Sequence, residues 1–374
     1  MLKVDIFVNP KLLYTPTTRY FWDLHWFPVR FFRKEIKKSG IDIRFKSWRS
    51  FSYDKMGDII CFSSYFFFNH KRVPYPMKDA TQHKHRIGPF KCLEELKKRE
   101  KKIIWFDMWD GPESLAYAVL DYVDKYYKKQ LFKDLSLYKK QKIYRHHSGF
   151  YLRKYNFKTS DEFVSQSFRP PKNRNLNKLA LSWNFAFHDY RYLGRSKLPY
   201  AIYKLNDYKM NLKFKPPRKI NEYRLSARFS PRNFQRKKFL EFLKKRFPTD
   251  KIGMGFIPRK LYFEELQNID AVLSPFGFGE PCFRDIEAFI AGSALIKPNM
   301  DHIETWPNIF RDQETYIAIP WEIEKWKDTI PEILDDHKLL YEVAKNGQDM
   351  YKKIWEKEGI LKFVKHFKSL ILDC

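Results

Sequence analysis

The chain has 374 residues, of which 44% are hydrophobic and 18% aromatic, so it has enough apolar material for two packed domains and is not intrinsically disordered. Its 72 Lys and Arg residues exceed its 44 Asp and Glu residues and give a formal net charge of +28 at pH 7. This charge favours an anionic partner, either nucleic acid, acidic lipid or a phosphorylated small molecule, although lysines spread over solvated helix faces would give the same total.

The four cysteines are Cys61, Cys92, Cys282 and Cys374. They are too far apart in sequence to predict a zinc cluster or a disulfide framework, and they fit a reducing compartment. The first residues form a strand pattern without the apolar core of a signal peptide, and no apolar run reaches the length of a membrane-spanning helix. We therefore expect a cytoplasmic protein, either soluble or peripheral to the inner face of the membrane.

The first half of the chain alternates predicted strands with predicted helices. Strands are expected at 3–8, 41–48, 58–63 and 103–106, and the first intervening helix closes at Gly40. This alternation predicts a parallel sheet of Rossmann type. The first strand is not followed by a glycine-rich dinucleotide fingerprint, which disfavours a nicotinamide cofactor.

Two carboxylates lie where the fourth strand ends. The segment WFDMWDGPES places Asp107 and Asp110 at the carboxyl edge of the predicted sheet. A carboxylate at such an edge can take a proton from a substrate hydroxyl. In a structural role, Asp110 would instead begin a turn with Gly111 and Asp107 would cap it. A metal site is a third interpretation, but a single Asp-x-x-Asp spacing has little specificity.

Two later segments of this half have open interpretations. In LDYVDKYYKKQLFKD we expect Lys128, Lys129 and Lys133 on a solvated helix face, with phosphate contact as the alternative. In LALSWNFAFHDY we expect a strand and a helix, with a structural role for Asn184 and His188 and a place in a cleft as the alternative. The adjacent histidines at 146 and 147 point different ways, and nothing completes a metal-ligand set around them.

A second α/β unit is predicted after the paired prolines of 213–219, which suit an interdomain linker. Its first strand, EYRLSARFS, has Arg228 and Ser230 at its end, and Arg232 lies near the start of the next helix, where anions bind readily. The segment KIGMGFI predicts a second strand, followed by a turn at 255–257 and a further helix.

The stretch from 271 to 298 predicts a strand, a loop, a helix and a second strand. Gly277 and Gly279 fall in the loop, apolar residues recur at helical spacing after it, and Gly292 sits where a C-cap glycine would. Arg284 in the first turn would suit a diphosphate, and Glu287 on the same face could accept hydrogen bonds from ribose hydroxyls. The alternative is an ordinary amphipathic helix with a surface Arg284–Glu287 pair.

The sequence SPFGFGE…RDIEAFIAGSALIKP, followed by HIETWP, resembles the donor-binding segment of glycosyltransferases with the GT-B fold. The resemblance is closest to exostosin-like and capsule or lipopolysaccharide enzymes; it is specific over 269–319 and fainter at 105–110, 122–134 and 181–189. It implies an α/β fold with two Rossmann-like domains. The implied units are an acceptor-side domain (1–212), a donor-binding domain (213–345) and a C-terminal helix (346–374) that crosses back to the first domain.

The same resemblance implies a nucleotide-sugar donor and a glycan or lipid-linked glycan acceptor, with no cofactor and no metal ion. The candidate catalytic bases are Asp110, then Asp107 and His25. In this sequence the implied donor-binding residues are Arg228, Ser230, Arg232, Gly279, Glu280, Arg284, Glu287, His302, Glu304 and Thr305. In the broader GT-B group two glutamates of this loop and helix have seven residues between them. Here Glu280 and Glu287 have six, and this difference favours an inverting over a retaining reaction.

Two alternative functions stay open. A basic nucleic-acid-binding protein would fit the charge and the interspersed aromatic residues, but the sequence contains no nucleic-acid-binding motif, so nucleic acid is the less favoured partner. A catalytically inactive transferase-fold scaffold in polysaccharide assembly would fold normally without transferring sugar. The final amphipathic segment, with lysines on one face and aromatics on another, also predicts contact with an anionic membrane surface.

Overall fold

The computed structural model describes residues 1–8, 25–46, 52–64, 89–116, 119–140, 143–157, 167–168, 176–190, 212–218, 223–231, 233–247 and 252–373. Within these residues the protein has two parallel β-sheets, one of six strands and one of five, with helices packed on both. The predicted α/β class with two Rossmann-like domains is confirmed.

The first domain is built on the six-stranded sheet. The described strands of the whole domain are β1 (Leu2–Phe7), β2 (Ile41–Lys46), β3 (Ile59–Ser63), β4 (Lys102–Asp107), β5 (Lys125–Lys128), β6 (Gln130–Phe132), β7 (Ile143–Tyr144), β8 (Ser167–Phe168) and β9 (Leu179–Leu181). Its described helices are α1 (Phe27–Phe31), α2 (Arg33–Lys38), α3 (Pro89–Lys98) and α4 (His146–Lys154). The strand order is β2-β1-β3-β4-β5-β9, and every pairing is parallel. The central strand β3 is buried at every position, as expected for a parallel sheet covered on both faces.

The second domain repeats this arrangement with the order β11-β10-β12-β13-β15. Its strands are β10 (Tyr223–Ala227), β11 (Ile252–Met254), β12 (Ile269–Leu273), β13 (Ala294–Pro298), β14 (Ile303–Thr305) and β15 (Ile317–Ile319). Its helices are α5 (Phe234–Arg246), α6 (Arg259–Leu266), α7 (Phe283–Ala291), α8 (Trp326–Asp335) and α9 (His337–Trp355). Helix α7 ends at Gly292 in the left-handed conformation, with φ of 77°, so the predicted C-cap glycine is confirmed.

The last helix, α10 (Lys357–Leu372), returns to the first domain. Phe363 packs on Phe32 with ring centroids 5.5 Å apart, and the Tyr127 hydroxyl donates to the carbonyl oxygen of Leu370 at 2.8 Å. The predicted crossing-back helix is therefore confirmed, and the whole arrangement is the GT-B architecture. The domain boundaries stay predictions; the one at 345/346 falls inside α9, and the helix break before the crossing lies at Glu356. Within the described residues, no helix combines the length and apolar composition needed to cross a membrane.

A short antiparallel ribbon joins the two domains. Strand β14 of the second domain pairs with β6 of the first, with Ile303 opposite Phe132 and Thr305 opposite Gln130. The backbone N–H and the side-chain amide of Asn184 donate to the carbonyl oxygens of Trp306 and Pro307, each at 2.7 Å. The chain after β13 is therefore bound to the first domain.

The lysine-rich segment around β5 is not the solvated helix face that the sequence predicted. Lys128 and Lys129 are 0% and 2% exposed, and the segment forms strands β5 and β6 instead of a solvated helix face. The Lys128 ammonium donates to Asp107 at 3.2 Å, and the Lys129 ammonium donates to Asp110 at 2.8 Å. Burial is tolerated because each cation has a carboxylate partner. Lys133, by contrast, is exposed.

Candidate functional site

The second sheet places a pocket at the carboxyl ends of β10 and β12. In an order of β11-β10-β12-β13-β15, these two strands flank the point where the winding direction reverses, and ligands of open α/β sheets bind there. The pocket has a volume of about 330 Å³. It is lined by Arg228, Gly255, Phe256, Ile257, Arg259, Tyr262, Phe263, Arg284 and Glu287. Three of the predicted donor-binding residues and the predicted turn at 255–257 therefore meet in one pocket.

Helix α7 presents Arg284 and Glu287 to this pocket from successive turns. The Arg284 guanidinium donates through Nη2 to the carbonyl oxygen of Arg228 at 3.1 Å, while its buried Nε has no hydrogen-bond partner in the described part of the chain. The Glu287 carboxylate accepts a hydrogen bond from the Tyr262 hydroxyl at 3.0 Å. The partner of Arg284 is thus a neutral carbonyl, and that of Glu287 is a neutral hydroxyl. Arg284 can therefore still donate hydrogen bonds to a ligand, and Glu287 can still accept them.

Burial and neighbouring charges shift the pKa values of Arg284 and Glu287. Burial raises the pKa of Glu287, although the nearby cation Arg284 and the Tyr262 hydroxyl oppose the shift. Burial alone would lower the pKa of Arg284, but Cys282, Tyr262 and Glu287 raise it overall. The guanidinium therefore stays cationic where it lines the pocket.

The predicted donor-binding residues at the end of β10 differ from Arg284 and Glu287 in their partners and exposure. Arg228 makes a two-pronged ion pair with Glu265, in which Nη2 lies 2.6 Å from the carboxylate, and it also donates to the carbonyl oxygen of Met254. It therefore shapes the pocket wall while much of its charge is neutralised. Ser230 is exposed, and Arg232 lies outside the described residues.

The loop between β12 and α7 is fixed by buried ionic groups. Lys297 on β13 places its Nζ 2.5 Å from Glu280 and 3.3 Å from Asp285, and all three side chains are fully buried. Asp285 in turn accepts a hydrogen bond from the Cys282 backbone N–H at 2.9 Å and caps the helix. Glu280 accepts from the backbone N–H of Gly277 at 2.8 Å. The predicted donor-binding residue Glu280 therefore stabilises the loop through buried contacts.

The same cluster is the one group in the described residues with the spacing of a metal site, through Glu280, Cys282 and Asp285. The Lys297 ammonium already occupies the position between the two carboxylates. Burial raises the pKa of the Cys282 thiol to about 11, and Asp285 adds to the shift. A protonated thiol and an ammonium-paired carboxylate pair do not fit a metal ion.

The two domains touch where this loop meets the end of β4. A Cβ atom added to Gly279 would lie 2.6 Å from the backbone nitrogen of Gly111 and 2.8 Å from the Asp110 Cβ. Only glycine permits so close an approach. The predicted residues Asp110 and Gly279, one from each domain, are therefore neighbours at the cleft.

Asp110 has the environment of an ionised carboxylate. Its side chain is 49% exposed and pairs with the Lys129 ammonium at 2.8 Å. Burial would raise the pKa of Asp110, but Lys129, Arg145 and Lys128 outweigh it and hold the pKa below its ordinary value. Its backbone carbonyl accepts a hydrogen bond from Arg145 at 2.8 Å, which fixes the turn.

The other two candidate bases are buried. Asp107 is 0% exposed and accepts hydrogen bonds from the Tyr126 hydroxyl at 2.7 Å and from Lys128. His25 stacks on Trp183 with ring centroids 4.4 Å apart. Burial, with a contribution from Lys129, lowers the pKa of His25 to about 3, so its imidazole is neutral. Asp110 is the exposed carboxylate of the predicted set.

The three predicted residues after β13 lie at the ribbon between the domains. Each lies beside or opposite a first-domain group, and none of the three lines the pocket around Arg284. The His302 Nε2 lies 2.7 Å from the Nε2 of His147, Glu304 is exposed opposite Leu131, and Thr305 is opposite Gln130. They join domains in this structure, because β14 completes its backbone hydrogen bonds with β6.

Several residues of the site escaped the sequence analysis. Tyr262 and Glu265 are half-buried on α6, where an aromatic and an acid at helical spacing resemble any amphipathic helix. Arg236 donates to the carbonyl oxygens of Phe276 and Pro275, each at 3.2 Å. Lys297 lies inside an apolar strand, and a lone lysine in such a strand is a signal from which a buried ion pair could have been predicted.

Comparisons with known proteins found solved structures of low sequence identity. No family model and no curated protein matches the chain. Among solved structures, HepE of Anabaena in complex with UDP and glucose is 9% identical over 100% of both chains, with a TM-score of 0.49. A glycosyltransferase of Rickettsia africae is 11% identical over 99% of this chain and 98% of that chain, with a TM-score of 0.43.

Sucrose-phosphate synthase of Thermosynechococcus elongatus is 11% identical over 100% of both chains, with a TM-score of 0.41. All three structures have TM-scores below 0.5 and are 9% to 11% identical to this chain. An exostosin-like relationship, which the sequence suggested, is not confirmed by them. The assignment of the GT-B fold rests on the two sheet orders and on the return of α10 to the first domain.

Proposed function

We propose that this protein is a glycosyltransferase that moves a sugar from a nucleotide-sugar donor to a glycan or glycoconjugate acceptor. The observation that carries the proposal is the pocket where Arg284, Glu287 and Tyr262 converge at the first turns of α7. A cationic guanidinium at a helix N-terminus suits a diphosphate. A carboxylate one turn further along the helix suits ribose hydroxyls.

The reaction needs charge stabilisation on the leaving diphosphate. Arg284 and the free N–H groups of the α7 N-terminus are fixed before the reaction, so they stabilise the developing charge without reorganising. Asp110, the exposed carboxylate on the opposite side of the cleft next to Gly279, is our proposed base for the acceptor hydroxyl. His25 and Asp107 stay the alternative bases.

Two finer features belong to the same proposal. We infer a metal-independent reaction, because Arg284 supplies the positive charge and Lys297 neutralises the acidic cluster near the donor loop. We infer inversion, because the exposed Asp110 carboxylate can take the acceptor's proton in a single displacement, while Glu280 is buried against Lys297. Anomeric analysis of the product by NMR tests the stereochemistry.

We also propose contact with an anionic membrane surface, which suits a capsule, lipopolysaccharide or other lipid-linked glycan acceptor. The outer side of α10 carries the exposed residues Leu361, Lys362, Lys365 and Leu372, while its other side packs on the first domain. Co-sedimentation with vesicles containing anionic or only zwitterionic lipid tests this. Binding that ignores lipid charge and salt would contradict it.

A thermal-shift screen with UDP, GDP, CMP, ADP and dTDP tests the donor site, because a ligand that binds the native state raises the melting temperature. We expect one nucleotide class to stabilise the protein and Arg284→Ala to remove that effect. Arg311→Ala is the matched control, because Arg311 is surface-exposed and pairs with Glu314 at 3.0 Å. Equal responses of the two variants would refute the assignment.

A further inference from the structure

Helix α4 follows the first-domain strands in sequence but packs on the second domain. The ring of Tyr151 lies 5.0 Å from that of Phe239 on α5, and the Tyr155 hydroxyl accepts a hydrogen bond from the backbone N–H of Ile323 at 2.7 Å. Closely packed elements transmit displacements because the interior has little free space. The N-terminal end of α4 therefore follows the second domain when the two domains move.

Arg145, the N-cap residue of α4, holds the turn that carries the proposed base. Its side chain is 2% exposed, and its Nη1 donates to the backbone carbonyl oxygen of Asp110 at 2.8 Å and to the Ser114 hydroxyl at 2.6 Å. The two acceptors lie near the beginning and the end of the turn after β4. Arg145 thus fixes the path of this turn and, with it, the position of the Asp110 carboxylate.

The residues that follow in α4 hold the loop between β12 and α7. The imidazole of His147 stacks on the ring of Phe276, with centroids 3.9 Å apart and planes at 13°. The Ser148 hydroxyl donates to Gln235 at 3.3 Å, and the Gln235 amide donates to the carbonyl oxygen of Gly277 at 3.3 Å. His147, Ser148 and Gln235 are all buried, so this part of α4 contacts the loop without intervening solvent.

The imidazole of His147 is neutral at physiological pH. Burial is the main cause that lowers its pKa well below its ordinary value, and the charges of His302, His146 and Lys297 add to the shift. The Nε2 atoms of His147 and His302 lie 2.7 Å apart, so one of them donates a hydrogen bond to the other. This hydrogen bond orients the ring of His147 while its face packs on Phe276.

The two segments that α4 holds are the ones that meet between the domains. A Cβ atom added to Gly279 would lie 2.8 Å from the Asp110 Cβ, so the loop and the turn are in direct contact. Arg145 and Ser148 are three positions apart, which is roughly 4.5 Å along a helix. Because one short stretch of chain contacts both segments, a displacement of the loop also moves the turn of Asp110.

We propose that His147 is a positioning residue that couples the loop between β12 and α7 to the turn of Asp110. This inference rests on the proposed glycosyltransferase function and deepens it, because it states what sets the distance between the proposed base and the second domain. His147 acts on the loop through Phe276 and on the turn through Arg145, and it needs no contact with a substrate.

Hydrogen–deuterium exchange of the full-length protein tests the coupling without a ligand. The reporters are backbone amides that donate hydrogen bonds within their own segment and are therefore protected. They are Trp109 and Ser114 in the turn, and Gly277 and Cys282 in the loop.

His147→Ala removes the stack on Phe276, and the smaller change Ser148→Ala removes the hydrogen bond to Gln235. Tyr155→Phe is the matched control, because it breaks a contact of α4 with the second domain at the other end of the helix. We expect His147→Ala to speed exchange in both segments at least about tenfold, Ser148→Ala to speed it less in the same two segments, and Tyr155→Phe to change neither.

Faster exchange in the loop alone would overturn the proposal, since the turn of Asp110 would then be independent of His147. Unchanged exchange in both segments would overturn it as well. Equal responses of His147→Ala and Tyr155→Phe would show only a general loosening of α4, which also contradicts the coupling. If His147→Ala does not fold, Ser148→Ala decides by the same criteria.

The rate of UDP release from UDP-glucose separates positioning from stability. We expect His147→Ala to lower kcat at least about tenfold and to leave KM unchanged, because the loop does not line the nucleotide pocket. His147→Phe keeps an aromatic face on Phe276 and should recover most of the rate; an unchanged kcat in His147→Ala would overturn the proposal. If the wild type does not turn over UDP-glucose, the exchange data decide on the coupling. Failure of every nucleotide to bind would instead refute the proposed function itself.

Discussion

Lys297→Met removes the cation that pairs with the loop between β12 and α7. The ammonium lies between Glu280 and Asp285, and none of the three side chains is exposed. The carboxylates raise the pKa of Lys297 and outweigh the effect of its burial, so the native state holds the lysine charged. Methionine has a similar length, so the substitution removes the charge with little loss of packing.

Removing one partner of a buried ionic cluster leaves uncompensated charge and costs about 3–5 kcal/mol. This is a large part of the roughly 5–15 kcal/mol by which a typical domain is stable. Burial already raises the pKa of Glu280, so protonation of that carboxyl relieves part of the loss. We therefore expect a destabilisation near the lower end of that range, about 3 kcal/mol.

Urea unfolding at pH 7 measures the change in free energy. Lys238→Met is the matched control, because Lys238 pairs with Glu241 at 2.8 Å on the surface and its loss changes stability by at most about 1 kcal/mol. Adding Glu280→Gln to Lys297→Met should restore part of the stability by removing one uncompensated charge. The reasoning is refuted if Lys297→Met behaves like the surface control, or if the second substitution lowers stability further.

Three further predictions concern the cleft and the pocket. Gly279→Ala should reduce transfer at least about tenfold, measured as initial rate, because its Cβ would press on Asp110 and keep the domains apart; an unchanged rate would rule out this contact in the active state. Lys129→Met should move the acidic limb of the pH–rate profile to higher pH, because Lys129 lowers the pKa of Asp110; a profile that stays in place would argue against Asp110 as the base. Tyr262→Phe should weaken nucleotide affinity several-fold in calorimetry with little change in melting temperature, since Glu287 loses one hydrogen bond of about 1 kcal/mol; a large loss of stability instead would indicate a structural role.

The local pattern of the sequence predicted the strand, loop, helix and strand of 271–298 because these elements are specified by adjacent residues. The strand ends at Ser274-Pro275, the loop is rich in glycine, and Gly292 takes the left-handed conformation that stops the helix. The shared face of Arg284 and Glu287 followed from helical spacing alone. These features depend on chain neighbours, so no tertiary information was needed to find them.

Other parts of the site depend on contacts between distant segments. Lys129 resembled a solvated helix residue, but its partner Asp110 comes from the turn after β4, about 19 positions earlier in the chain. The ribbon formed by His302 to Thr305 pairs with a strand some 170 positions earlier, and neither three-residue strand has a distinctive pattern of its own. Tyr262 reaches Glu287 across two elements. Such pairings are fixed by the tertiary fold, which is why local patterns missed them.

Isothermal titration of the wild-type protein and Arg284→Ala with the selected nucleoside diphosphate and with its nucleoside tests the central claim most directly. We expect Arg284→Ala to weaken diphosphate binding at least about tenfold and to leave binding of the nucleoside unchanged, because the guanidinium lines the pocket and is the group that we propose binds the phosphates. If no diphosphate binds at about millimolar concentration, corresponding to roughly 4 kcal/mol, while oligonucleotides bind with a steep salt dependence, the donor-site account is contradicted.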